Sequence, residues 1–137
     1  MFLLDTNVLS ETLRAQPDSG VMLGLKRHGR ELSTAAPVIH EMLCGALRFP
    51  PGAKRVAVLH EIEHVFLKTL DVLPYDRRAA EWHADQRARL VNEGRTPPYL
   101  DGQIAAIAAV NGLTLVTHNV TDFAAFEGLT VEDWFAG

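Results

Sequence analysis

Phe2-Leu3-Leu4-Asp5-Thr6-Asn7-Val8-Leu9-Ser10-Glu11-Thr12-Leu13 carries the local signals of a strand, a turn and a helix in succession. Three consecutive apolar residues are the pattern of a strand covered on both faces, and a charge ends the run at Asp5. Asp5, Thr6 and Asn7 then offer three capping side chains in a row. The apolar positions that follow, Val8, Leu9, Leu13 and the methyl of Thr12, recur at helical spacing. Strand, turn and helix make the first half of a βαβ unit.

Working outward, the same alternation continues. Asp18 and Ser19 are placed to cap a second helix reaching His28, with Gly29 as its stop. Glu31 to Ala35 predicts a short strand, and Pro37 suits the first turn of a helix running to Arg48. Phe49-Pro50-Pro51-Gly52 is the strongest breaker in the chain. Beyond it an amphipathic helix from Val56 to Leu70 completes a helical hairpin. Val72-Leu73 predicts a third strand, followed by a helix from Asp76 to Asn92 that Gly94 closes. Thr96-Pro97-Pro98-Tyr99-Leu100 leads stiffly into Asp101, read as the N-cap of an Ala/Ile-rich helix ending at Gly112. Leu113 to Thr117 and Leu129 to Val131 supply the last two strands. Strands separated by helices predict one α/β domain over residues 1–137 with a mostly parallel sheet.

Composition bounds the function. With 137 residues, 47% of them hydrophobic, the chain is long enough to bury a core without a structural metal or disulfides. Cys44 is the single cysteine, so neither an intrachain disulfide nor a thiolate zinc cluster can form. The first residues lack the basic segment of a secretory signal. The longest purely apolar run, Ile104 to Val110, falls far short of the ~20 residues that span a bilayer. A cytoplasmic protein without membrane contact is expected. The net charge of −4 opposes any broad attraction to nucleic acid, but setting aside Asp5, Glu41, Asp101 and Asp122 leaves a neutral chain.

Those four acids are the candidate site. In open parallel sheets ligands bind beyond the carboxyl ends of the strands. Asp5 ends the first strand, Asn119 and Asp122 follow the fourth, and Asp101 opens the helix leading into it. Each Asp taken alone reads equally well as a helix cap. Glu41 has Pro37, Val38, Cys44 and Gly45 as its helical neighbours, which predicts a partly buried acid on a small, apolar face. Carboxylates gathered together repel and stay ionised only beside a cation, and an all-oxygen ligand set suits Mg²⁺ or Mn²⁺.

Other chemistries find less support. His60-Glu61-Ile62-Glu63-His64 is a literal H-E-x-x-H, the zinc-protease pattern. Glu63 places a charge inside it, however, and the apolar stripe Leu59, Ile62 and Phe66 would bury a different face. A phosphoacceptor of the receiver type needs a lysine after a late strand, and the last lysine is Lys68. Aspartate-based phosphohydrolases need a second Asp where Asn7 stands. Gly20 and Gly24 lack the spacing of a phosphate-binding loop.

The blocks Leu3-Leu4-Asp5-Thr6-Asn7-Val8-Leu9-Ser10, Glu41 with Gly45, Asp101-Gly102-Gln103-Ile104-Ala105-Ala106, and Leu115-Val116-Thr117-His118-Asn119 with Asp122-Phe123 resemble, in matching order along the whole chain, the PIN-domain ribonucleases. The likeness is in particular to the VapC and FitB toxins of bacterial toxin–antitoxin pairs. It implies a PIN-like three-layer α/β/α fold and an endoribonuclease using Mg²⁺, or Mn²⁺, to activate water for cleavage of single-stranded loops of RNA. By the same resemblance Asp5 and Asp101 are the principal metal ligands and Glu41 a third acid of the pocket. The family's fourth position falls on Asn119, where many relatives carry Asp, and Asp122 is the candidate for the missing charge. His118 stands where an Arg is common. Thr6 and Thr117 match hydroxyls close to the pocket, and Asn7 a residue that braces it. Arg14, Arg48, Arg87 and Arg89 are candidate phosphate contacts. The implied partners are the RNA substrate, a cognate antitoxin whose tail lies beside the pocket, and a second copy in a homodimer. DNA would be reached only indirectly, through the antitoxin. The competing reading is a catalytically inert PIN-like scaffold that binds protein; Asn119 favours it, and the retained Asp5, Glu41 and Asp101 oppose it.

Overall fold

The computed structural model describes the whole chain, Met1–Gly137. Five strands, β1 (Phe2–Leu4), β2 (Leu32–Ala35), β3 (Asp71–Leu73), β4 (Thr114–Val116) and β5 (Val131–Glu132), pair in the order β3-β2-β1-β4-β5. Every pairing is parallel, so the sheet is wholly rather than mostly parallel. Leu3 pairs with Ser33 on one side and with Leu115 on the other, which makes β1 the central strand. Its Leu3 and Leu4 are fully buried, as a three-residue apolar run between two helical layers requires.

The chain moves from β1 through β2 to β3, then crosses back to β4 and β5. The order therefore reverses between β1 and β4, and the crevice beyond their carboxyl ends is where such sheets bind ligands. Between the strands lie α1 (Thr6–Glu11), α2 (Ser19–Arg27), α3 (Ala36–Leu47), α4 (Ala53–Glu61), α5 (Leu67–Thr69), α6 (Arg77–Asn92), α7 (Tyr99–Val110) and α8 (Val120–Phe123). This is the expected α/β/α arrangement, and one core cluster unites Leu3, Val8, Val38, Ile62, Leu90, Ile104, Leu115 and Phe123 among others.

Several local expectations need correction. The amphipathic segment starts at Ala53 and is not one regular helix. A π turn over Ile62–Phe66 separates α4 from α5. Ile62 and Phe66, one helical turn apart, both enter the core. Gly29 is no left-handed stop, because only Gly94, Gly112 and Gly128 have positive φ and His28 caps α2. The last strand lies at Val131–Glu132, and Leu129, expected to begin it, packs against the core instead. Asp101 does not cap α7. Pro98 occupies that position, with extended ψ, and the helix begins immediately after it at Tyr99. Proline cannot donate a backbone hydrogen bond and restricts the residue before it, so two consecutive prolines start the helix at their own end. Asp101 is thereby carried into the first turn.

The tightest packing lies behind that turn. A Cβ on Gly102 would collide with Nε2 of His83, on α6. His83 is 2% exposed, and its Nδ1 shares a 2.9 Å hydrogen bond with the Tyr75 hydroxyl. Burial, and then the charge of Arg87, hold this imidazole below its usual pKa. A neutral ring wedged against a glycine thus fixes α6 to α7. Gly102→Ala should force the two helices apart and lower stability by about 1–3 kcal/mol, the usual cost of overpacking. The midpoint of urea unfolding, compared with that of wild type, measures it.

Candidate active site

Asp5 follows β1 directly and caps α1. Its Oδ1 accepts the Thr6 backbone N–H at 2.8 Å. Its Oδ2 accepts the Thr117 hydroxyl at 2.8 Å and, more loosely, the Asn7 side-chain amide at 3.4 Å. The Asn7 amide also donates to Thr117 Oγ1 at 3.1 Å, while Asn7 Oδ1 accepts the backbone N–H of His118 at 2.9 Å. The backbone N–H of Asn119 closes the set on Thr117 Oγ1 at 3.1 Å. The ends of β1 and β4 are therefore tied by side chains as well as by the sheet ladder. Thr117 and Asn7 both bond Asp5 directly.

Asp5 is 5% exposed, and burial pushes its carboxyl above the usual range. The bonds from Thr117 and Thr6 oppose that rise, and the charge of Glu41 adds to it. Asp101, half-buried in the first turn of α7, is pushed up to about 6, first by burial and then by the charges of Asp5, Asp122 and Glu41. Asp101 thus feels all three of the other acids, and Asp5 feels Glu41. The contrast between them is informative: Asp5 is held by donors, whereas Glu41, Asp101 and Asp122 have neither a side-chain hydrogen bond nor an ion pair within the chain. Glu41 is exposed and not partly buried as its neighbours suggested, because α3 turns that residue toward an open cavity beside α1.

Asn119 and Asp122 separate here. Asn119 is the N-cap residue of the short helix α8 but makes no side-chain cap bond, and Asp122, in its first turn, supplies the charge felt by Asp101. No helix was expected over these residues, since four positions are too few to show a period.

The donor set suits a hard divalent cation in one particular way. No three His, Cys, Asp or Glu side chains converge tightly enough to grip an ion among themselves. Mg²⁺ does not require that; it keeps several waters and is commonly held by one or two carboxylates. Thr6 Oγ1, buried next to Asp5 without a hydrogen-bond partner, is available to such a water. Asp5, Asp101 and Glu41 are the residues that could hold such an ion, with Asp122 adding charge beside Asp101.

The remaining candidates sort clearly. Arg89 is spent on structure, donating to Gln86 and to the carbonyl of Ala125. Arg87 bonds the Pro97 carbonyl and lies over the Tyr99 ring, and Arg14 pairs with Glu11. Only Arg48 is free. His60 and His64 are exposed, their rings 4.3 Å apart, with no third ligand near them. Ile62 and Phe66 bury the other face, as the apolar stripe required. His118 pairs with Asp133 at 3.1 Å and lies against Phe135. Lys54 and Phe49, which line the cavity beside Glu41, carry no sequence signal, because a loop brings them together.

The raised pKa of Asp101 has a defined sign in stability. Its folded value lies above the unfolded one, so the folded state holds the proton more tightly. Without metal, stability falls as pH rises from about 4 to about 6 and stays lowered above. Asp101→Asn should remove that slope and raise the metal-free Tm at neutral pH by a few degrees, as read by calorimetry in EDTA.

Known proteins share both the sequence and the fold. The PIN domain family model matches residues 2–129. The chain is 32% identical over 133 residues to the tRNA(fMet)-specific endonuclease VapC of Shigella flexneri, covering 97% of each. It is 33% identical over 138 residues to Toxin FitB of Neisseria gonorrhoeae, covering 98% of this chain and 99% of that one. Among solved structures, FitAcB from Neisseria gonorrhoeae superposes with a TM-score of 0.87 at 31% identity over 96% of both chains. DNA-bound VapBC from Salmonella typhimurium does so with 0.86 at 28% identity over 97% of both. A parallel sheet with its acids at the β1/β4 seam, matched over nearly its whole length, makes this chain a member of the PIN-domain family, in the group of the VapC and FitB toxins.

Proposed function

We propose that the protein is an endoribonuclease toxin that uses Mg²⁺, or Mn²⁺, at the acidic pocket and is neutralised by a cognate antitoxin. The observation that carries this reading is that Asp101 feels the charges of Asp5, Asp122 and Glu41, and that all of these acids but Asp5 lack any partner in the chain. Such an arrangement is costly unless a cation fills it. Relatives named as VapC endonucleases and ribonucleases give the substrate class.

When bound, the ion supplies Lewis-acid charge neutralisation at a phosphodiester oxygen and an activated water for in-line displacement. The chain supplies the rest. Thr117, Asn7 and the Thr6 N–H fix both oxygens of Asp5 before any ligand arrives. Asp101 enters the pocket on a turn held from behind by His83, and Asp122 and Glu41 add negative charge around it. No side chain here is needed as a covalent nucleophile.

Solved structures of relatives are toxin–antitoxin complexes, some bound to DNA, which supports an antitoxin as partner here and contact with DNA only through it. The apolar groove among α1, α2 and the π turn, lined by Leu9, Met22, Leu25, Val65 and Phe66, offers such a partner a surface. An antitoxin arginine reaching the acids would satisfy them as a cation does. A homodimer is part of the same reading. No helix is long and apolar enough to cross a membrane, in keeping with a cytoplasmic site of action.

Purified, antitoxin-free protein should cut total RNA with Mg²⁺ or Mn²⁺ and not in EDTA. Asp5→Asn and Asp101→Asn should abolish cutting with the fold kept, Asn being preferred to Ala because Asp5 is buried and caps α1. Thr117→Val should cost about 10–100-fold in metal affinity, as loss of a group orienting a ligand does. Asp122→Asn should weaken Mg²⁺ binding in calorimetric titration more than Asn119→Asp strengthens it. Metal binding without cleavage of any RNA would instead favour the protein-binding scaffold.

A further inference from the structure

The largest cavity, about 660 Å³, opens between α1, α3 and α4. Thr6 and Glu41 form the end it shares with the acids, and Arg14, Phe49, Arg48 and Lys54 line the remainder. In a chain of net charge −4, this sets positive charge directly beside the negative pocket. Arg14 is neutralised by Glu11 at 3.3 Å. Arg48 and Lys54 are exposed and have no acidic partner. Lys54 Nζ rests 4.7 Å from the centroid of the Phe49 ring. A cation parked on an aromatic face is readily exchanged for a nucleobase, which takes the face while the ammonium turns to a phosphate. The start of α4 adds to this: its N-cap, Gly52, gives no side-chain cap and no acid lies in the first turn, so its N–H groups are open to an anion.

We propose that this cavity is the bed of an unpaired RNA segment flanking the cleavage point, with Arg48 and Lys54 holding its phosphates and Phe49 stacking one of its bases. The proposal rests on the RNA-cleaving reading above. A strand leaving the cation-loaded acids for these two free cations meets complementary charge along its path. An acidic polypeptide would find the same cations but leave the aromatic face unused.

The test uses the full chain in Mg²⁺ with a fluorescent, unstructured phosphorothioate oligoribonucleotide of roughly ten nucleotides, titrated by anisotropy over a range of salt. Arg48→Gln and Lys54→Gln should each flatten the slope of log K against log salt by about 0.7, the value for one phosphate contact on a single strand. Phe49→Leu, which keeps apolar packing, should weaken binding roughly tenfold, and Phe49→Tyr should retain it. If wild type cuts total RNA, but fails to bind the oligonucleotide or binds it with slopes and affinities the variants share, the proposal is overturned and the cavity falls to a polypeptide segment. If wild type neither cuts nor binds RNA, the underlying reading fails and takes this one with it.

Discussion

A carboxylate buried at the seam of a parallel sheet must be surrounded by donors, and the rest of the site depends on how Asp5 meets that requirement. One oxygen takes the first N–H of α1 and the other takes the hydroxyl of Thr117 across the seam. Asn7 spans the gap a second time, bonding Asp5 and Thr117 with its amide and the His118 backbone with its carbonyl. The same bonds that make burial of the acid tolerable also lock β1 to β4 at the point where the strand order reverses. Stability and pre-organisation therefore share one set of atoms.

The other acids are treated in the opposite way. Asp101, Glu41 and Asp122 are brought near Asp5 by three different helices and are left unpaired. Their repulsion is resisted by the scaffold rather than relieved within it, and resistance is greatest behind Asp101, where His83 meets Gly102 without room for a methyl group. A well-packed core working against an unfavourable electrostatic cluster is a common balance at functional sites, where local strain is sustained by stability elsewhere.

Much of this was legible in the order of residues. Phe2 to Leu13 contains the first strand, the cap and the first helix, because buried strands and capped helices have local signatures. Asp5, Asp101 and Asp122 were legible because each stands near an element boundary, and Glu41 because a charge interrupts a small, apolar helix face. What the local pattern missed has a physical source. Asp101 resembles a cap, but Pro98 initiates the helix earlier and alters what the carboxylate faces. Glu41 looked partly buried because its helical neighbours are small or apolar, yet the residue itself, with Gly45, borders an open cavity while Pro37 and Val38 turn inward. The π turn over Ile62–Phe66 has no local signature, because the apolar spacing there is that of a regular helix. Asn7 and Thr117 stand 110 positions apart, so no periodicity could reveal that one braces the other.

That separation matters for how the molecule is made. Asp5 is joined to a growing polypeptide well before the hydroxyl that orients it, which arrives 112 positions later. The support of α2 arrives later still: Trp134 packs against Gly24, and the Ala136 backbone N–H donates to Asp18 at the start of that helix. Contacts so distant in sequence form late, after most of the chain is available to fold. A polypeptide that stops short of β4 thus lacks the hydroxyl and the cross-seam bonds that orient Asp5, so the pre-organised pocket requires the chain through Thr117.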